Sequence, residues 1–210
     1  MDKLRLKFSK TGRAVYISHL DLMRTMQRVF SRAGVGLKYS EGFNPHAKIS
    51  IILPLTVGTR SLCEYMDFAL ASDHDLQTLP ARLNAYMPEG IEALEAYEAP
   101  GKGSALRWLH ITGRMTGGRD AAFYNGFFAR EEIPVTRRGK KGERTDNIAP
   151  AIWKATFTDG ENGVLADLVL HAQEPTLSPD LMMTALGEDA PDYYVFTRLE
   201  AFNEDMTPFR

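Results

Sequence analysis

Two imidazoles, each with a carboxylate close by in sequence, fall within the first fifty residues: His19 with Asp21 two positions on, and Glu41 with His46 five positions on. One imidazole with a carboxylate in reach suffices for general acid–base work near neutral pH, because histidine changes charge there. His19, Asp21, Glu41 and His46 are also the side-chain types that ligate divalent metals. Structural roles compete with both readings. Asp21 falls in the first turn of an expected helix, where a carboxylate stabilises unpaired amides, and His19 can cap the same turn. His110 and His171 fall on expected strands and read as structural. No Gly-rich phosphate loop, nucleophile elbow or His-Glu-x-x-His pattern is present, so neither metal nor cofactor is assigned.

A second chemistry is written in cations and aromatic rings. The stretch Tyr39-Ser-Glu-Gly-Phe-Asn-Pro-His-Ala-Lys48 interleaves Tyr39 and Phe43 with Asn44, His46 and Lys48, and Lys38 precedes it. Aromatic faces beside cations stack unpaired bases, the usual route to single-stranded RNA recognition. Phe43 taken alone reads first as a core plug between helix and strand. Arg24, Arg28 and Arg32 recur every four residues and form one basic ridge on a helix. Thr136-Arg-Arg-Gly-Lys-Lys-Gly-Glu-Arg-Thr145 adds Arg137, Arg138, Lys140, Lys141 and Arg144 around a single Glu143 and reads as a mobile basic hairpin or loop. Such displays neutralise phosphates and release counterions, or simply keep a surface solvated.

The elements that position these groups follow from periodicity. Residues 3–8 alternate as a half-buried strand. A helix starts at Ser18 or His19 and runs to about Ala33, with Leu22, Met23, Met26, Val29, Phe30 and Ala33 on one face and Gly34 and Gly36 as stops. Strands are expected at Ile49–Leu53, Glu64–Ala71 and Ile91–Tyr97, with a helix at Asp73–Tyr86. Pro100-Gly-Lys-Gly-Ser104 has linker composition. Beyond it, strands are expected at Ala105–Thr112, Ile133–Arg137, Ala151–Thr158, Val164–His171 and Tyr193–Phe202, and helices at Asp120–Ala129 and Ser178–Leu186. The order β-α-β-β-α-β occurs twice. The expected fold is therefore α+β: two tandem ferredoxin-like halves, 1–99 and 105–210, with the basic loop 136–145 inserted in the second.

Composition narrows the class. At 210 residues and 44% hydrophobic content, the chain is long enough for one large or two small domains. Nothing approaches a membrane-spanning apolar run, and the N-terminus lacks the apolar core of a signal peptide, so a cytoplasmic protein is expected. The single cysteine, Cys63, excludes an intramolecular disulfide and any multi-cysteine zinc or iron–sulfur site. Net charge is −2, yet the first 60 residues hold eleven Lys and Arg against three acids, which suggests a polyanion-facing surface on an acidic body.

The chain resembles the radical-SAM-linked protein family, a bacterial group of unknown function. The resemblance rests on Lys10-Thr-Gly, Ser18-His-Leu-Asp-Leu-Met-Arg24, Arg32-Ala-Gly34, Tyr39-Ser-Glu-Gly-Phe-Asn-Pro-His46, Lys48-Ile-Ser50, Leu53-Pro-Leu55, Val57-Gly58 and Glu64-Tyr-Met-Asp67. Ala149 departs from it, standing where the family pattern has an arginine. The resemblance implies an association with radical S-adenosylmethionine proteins. This chain lacks the iron–sulfur cysteine triad, so it would be a partner or a substrate-recognition module of such an enzyme and not the catalyst. The leading expectation is an RNA-binding or RNA-handling accessory module for tRNA or rRNA modification. Two alternatives stand beside it: a metal-independent endoribonuclease or small hydrolase using His46 or His19, and a protein scaffold for a radical-SAM enzyme.

Overall fold

The computed structural model describes residues 3–139 and 142–210. It separates into two compact units, one ending at Ala105 and including Arg210, the other Leu106–Phe209. In the first unit β1 (Leu4–Lys10) leads through a short 3-10 turn into α1 (His19–Arg32). Strands β2 (Ile49–Ile52) and β3 (Arg60–Phe68), helix α2 (Leu79–Asn84) and strand β4 (Ile91–Glu98) follow. All pairings are antiparallel, in the order β4-β1-β3-β2.

Local chemistry sets the helix limits. Ser18 caps α1, its Oγ accepting the Asp21 amide at 3.2 Å. At the other end Gly34 takes φ +66°, its amide donates to the Ser31 carbonyl and that of Val35 to Phe30. This paired closure needs a left-handed residue, which glycine adopts freely. Leu22, Met26, Val29 and Phe30 then pack on Leu6, Phe8, Met66 and Phe68 of the sheet. The Phe30 and Phe68 rings meet edge-on at 5.2 Å.

The helix expected over 73–86 is shorter, Leu79–Asn84. Asp75 draws the preceding residues into a turn, its Oδ1 accepting the Gln77 amide and its Oδ2 the Thr78 hydroxyl. Asn84 ends the helix by pairing its side-chain amide with both backbone groups of Ala93, at 2.8 and 2.7 Å. The edge strand β4 is thereby partly covered.

The second unit runs β5 (Trp108–Thr116), α3 (Ala121–Phe128), β6 (Pro134–Gly139), β7 (Gly142–Asn147), β8 (Ile152–Gly160), β9 (Gly163–His171), α4 (Pro179–Ala185) and β10 (Tyr193–Phe202). Its sheet is antiparallel in the order β10-β5-β9-β8. Leaving aside β6 and β7, the first strand again lies between the last and the third, and the second takes the edge. Buried Ile111, Met115, Phe157 and Leu168 belong to the sheet, and Tyr124, Phe128, Met182 and Met183 to the helices. Asn125 of α3 holds Phe157 through both of its backbone groups, at 2.8 and 2.9 Å.

Of the two forms expected for the basic stretch 136–145, hairpin or loop, the structure has the hairpin, β6 with β7. It is anchored where the sequence is apolar: Ile133, Val135 and Ile148 are buried. Asn147 clasps its base, its Oδ1 accepting the amides of Ile133 and Ala149 while its Nδ2 donates to the Glu131 carbonyl. The class is α+β, and no helix among the described residues is long and apolar enough to cross a membrane.

Candidate functional site

Residues 37–48 form a second small hairpin, built onto the end of β3. Leu37 bridges to Leu70 and is buried, while Tyr39 bridges to Ala47. The Lys48 amide donates to the Lys38 carbonyl at 2.7 Å, and the Ser40 amide to the His46 carbonyl at 2.8 Å. Ala69 ties both arms down, accepting from the Lys38 amide and donating to the Lys48 carbonyl. Lys38 and Lys48 therefore sit directly opposite each other at the base. Gly42, at φ +119°, turns the chain at the tip. Glu41, Phe43, Asn44 and His46 are exposed, and the His46 amide is held by Ser40 Oγ at 2.9 Å.

Phe43 overturns the core-plug reading. It is fully exposed, at 112% of its reference surface, and Tyr39 is 55% exposed. The space between helix and strand is already filled by Phe30, Leu37 and Phe68. A bare phenyl ring on a hydrogen-bonded hairpin is placed to stack on a planar partner.

The four acid–base candidates do not form one group. His19 and Asp21 open α1, whereas Glu41 and His46 lie beyond its other end, and a helix of 14 residues spans about 21 Å. Ser18 donates its hydroxyl to Asp21 Oδ2 at 2.7 Å, and Arg24 meets Asp21 Oδ1 at 3.1 Å. The Ser18 hydrogen bond, then that of Arg24, holds the Asp21 carboxyl below its ordinary range. This is a capping arrangement. Among the described residues no three His, Cys, Asp or Glu side chains gather to hold a metal ion. Arg24, Arg28 and Arg32 are exposed along α1, as a ridge requires.

On the β6–β7 hairpin Arg137 stands opposite Arg144, and Arg138 opposite Glu143. Asp146, just outside the basic stretch, lies 2.6 Å from Arg144 and 3.8 Å from Arg137. Its charge offsets part of the positive field. Lys140 and Lys141 lie outside the described residues.

Several groups escaped sequence reasoning. Arg5 is wholly buried, its Nε 2.6 Å from Asp67 Oδ1 and its remaining nitrogens reaching Asp67 Oδ2 and the carbonyls of Arg210 and Gly101. Lys10, also buried, donates to the carbonyls of Val15 and Ile17, which fixes the turn before α1. Burial lowers its pKa, and Glu64 works in the opposite direction. The Lys10-Thr-Gly motif was the available signal for this anchor. Arg82 caps the end of α1 through the carbonyls of Ala33 and Gly34 and approaches His74 Nδ1 at 3.5 Å. In the second unit Asp167 joins His110 and Lys154, each at 3.1 Å, so His110 belongs to a polar network. Cys63 is buried in β3.

Residues 3–179 match the family model described as "Uncharacterized protein conserved in bacteria (DUF2344)". No curated protein matches the chain. Among solved structures, the chain is matched to the small subunit of acetolactate synthase from Thermotoga maritima. That match has 9% identity, covers 97% of this chain and 98% of that one, and has a TM-score of 0.28, too low to support an argument.

Proposed function

The chain belongs to this family of uncharacterised bacterial proteins, and we propose that it is an RNA-binding accessory module. In this reading it has two ferredoxin-like halves, resides in the cytoplasm and serves a radical-SAM partner in tRNA or rRNA modification. The observation that carries the reading is Phe43, a fully exposed ring at the tip of a braced hairpin whose base sets Lys38 opposite Lys48. Stacking on a base and pairing with phosphate are the two contacts single-stranded RNA offers to such a surface. The exposed Arg24, Arg28 and Arg32 would add phosphate contacts, which position RNA without reading its sequence. The shared strand order of the two units supports the ferredoxin-like halves.

Filter binding of tRNA and total RNA across a salt series tests this proposal. Affinity should fall steeply as salt rises, and reversing Arg28 and Arg32 to Glu should weaken all RNAs alike and flatten the salt slope. Binding that is absent at low salt, or indifferent to salt, overturns it. Pull-down with and without nuclease distinguishes direct docking of a radical-SAM protein from bridging by RNA.

A further inference from the structure

The second unit leaves one face of its sheet largely open to solvent. The other face is covered by α3, whose Tyr124 and Phe128 rings each lie 5.5 Å from that of Phe157. Alternation along β5 sends Trp108, His110, Thr112 and Arg114 to the open side, and pairing sets Asp167 beside Thr112 and Leu165 beside Arg114. Arg114 and Leu165 are exposed, and His110, Thr112 and Asp167 are half-buried.

An exposed aromatic ring stands at each end of this face. Trp153 occupies a bulge in β8, between Ile152, which pairs with Leu170, and Lys154, which pairs with Val169. An extra residue of this kind re-aims a side chain, and the Trp153 indole comes to rest 5.3 Å from that of Trp108. Trp108 is buried and is met edge-on by His171 at 4.7 Å, so it forms a fixed support. Trp153 itself is 61% exposed. At the other end Tyr193, 64% exposed, pairs with Thr116, and Val195 pairs with Arg114. Tyr193 is therefore the diagonal neighbour of Arg114. From Trp108 to Arg114 the strand runs about 20 Å.

Charge narrows the ligand. Asp167 is matched by Lys154 and His110, each at 3.1 Å, and Glu200, opposite His110, turns its Oε1 to the Ala201 amide. Arg114 has no ion pair among the described residues. A neutral sugar could stack on Trp153 but would leave Arg114 unanswered. Flat bases joined by phosphates use the rings and the cation together. We infer that this open face binds single-stranded RNA, with one base on Trp153, another on Tyr193 and a phosphate at Arg114. Four-stranded sheets bind RNA through rings on an open face in this way, about two or three bases at a time. The inference rests on the reading of the chain as an RNA-binding protein, and it adds a surface that uses neither the 37–48 hairpin nor the α1 ridge.

The test is titration of the full chain with a short oligouridine, followed by tryptophan fluorescence and by anisotropy of a labelled copy. A base on Trp153 should quench the emission. Trp153→Ala and Tyr193→Ala should each weaken binding about fivefold or more without changing the salt slope. Arg114→Glu should weaken it and lower the slope. Should Trp153→Ala fail to fold, Tyr193→Ala and Arg114→Glu test the same face. RNA affinity that falls in Phe43→Ala, or on reversal of Arg28 and Arg32, but stays within about twofold in the sheet variants would overturn the inference and leave the RNA proposal standing. Loss in the sheet variants alone supports the inference and removes the hairpin and ridge from that proposal; loss in both sets supports both. Quenching by maltohexaose and not by RNA would overturn the inference and assign the face to a sugar. No RNA binding at all would overturn both.

Discussion

Replacing Phe43 with alanine separates folding from recognition. The ring is fully exposed and belongs to no buried cluster, so its removal should shift the free energy of unfolding by no more than about 0.5 kcal/mol. If the ring stacks on a base, the same change should remove about 1–3 kcal/mol of RNA affinity, a loss of roughly 5- to 150-fold. The phenyl group carries no charge, so the slope of affinity against salt should stay as in the parent protein. Phe43→Trp should restore binding. Chemical denaturation and fluorescence anisotropy with a labelled single-stranded RNA, on the same preparations, measure both quantities. An affinity within about twofold of the parent would refute stacking, since even a weak stack exceeds that. A stability loss above about 2 kcal/mol would instead place the ring in a packed site and refute its exposure.

Other changes probe the frame around the site. Arg5→Met strands the buried Asp67 carboxylate and should cost about 3–5 kcal/mol by urea denaturation, with much of it regained in the double variant Arg5→Met, Asp67→Leu; a single-variant cost below about 1 kcal/mol would contradict the buried pair. Ser18→Ala should cost about 1 kcal/mol and let the Asp21 carboxyl rise toward its ordinary value, followed by NMR titration, because Ser18 is the main cause of its lowering. The Asp167 carboxyl is pushed up by partial burial but is held below its ordinary value of 3.8 by Lys154 and His110. Its contribution to stability is therefore present above that value and lost as pH falls through the lower folded one, so Asp167→Asn should flatten the acid limb of a stability–pH profile.

What could be read from sequence was local. α1 begins at His19 because Ser18 and Asp21 form a cap, and it ends before Gly34 because only a left-handed residue closes it that way. The alternating strands were legible for the same reason. Phe43 was not, because the slot it would fill is occupied by Phe30, Leu37 and Phe68 from three separate segments. Alternation also reads Arg5 as facing water; the residue that makes its burial tolerable, Asp67, is 62 positions away. The basic stretch looked more positive than it is because Asp146 lies just beyond its edge. The two histidine motifs are near in sequence but are held apart by the 14 residues of α1.

The Asn147 clasp makes the β6–β7 hairpin a replaceable part. Asn147 holds Ile133 and Ala149, and the Ile148 amide donates to the Ile133 carbonyl at 3.0 Å, so the ends of the segment are joined whatever lies between them. The four-stranded order of its unit does not run through β6 or β7. Exchanging residues between Val135 and Asp146 for a short turn, or for a foreign peptide, should leave the remaining sheet intact, since a closed base removes most of the cost of loop length. Lineages could thus swap this arm for another without refolding the body, and an engineer could load it with a tag or a second recognition peptide.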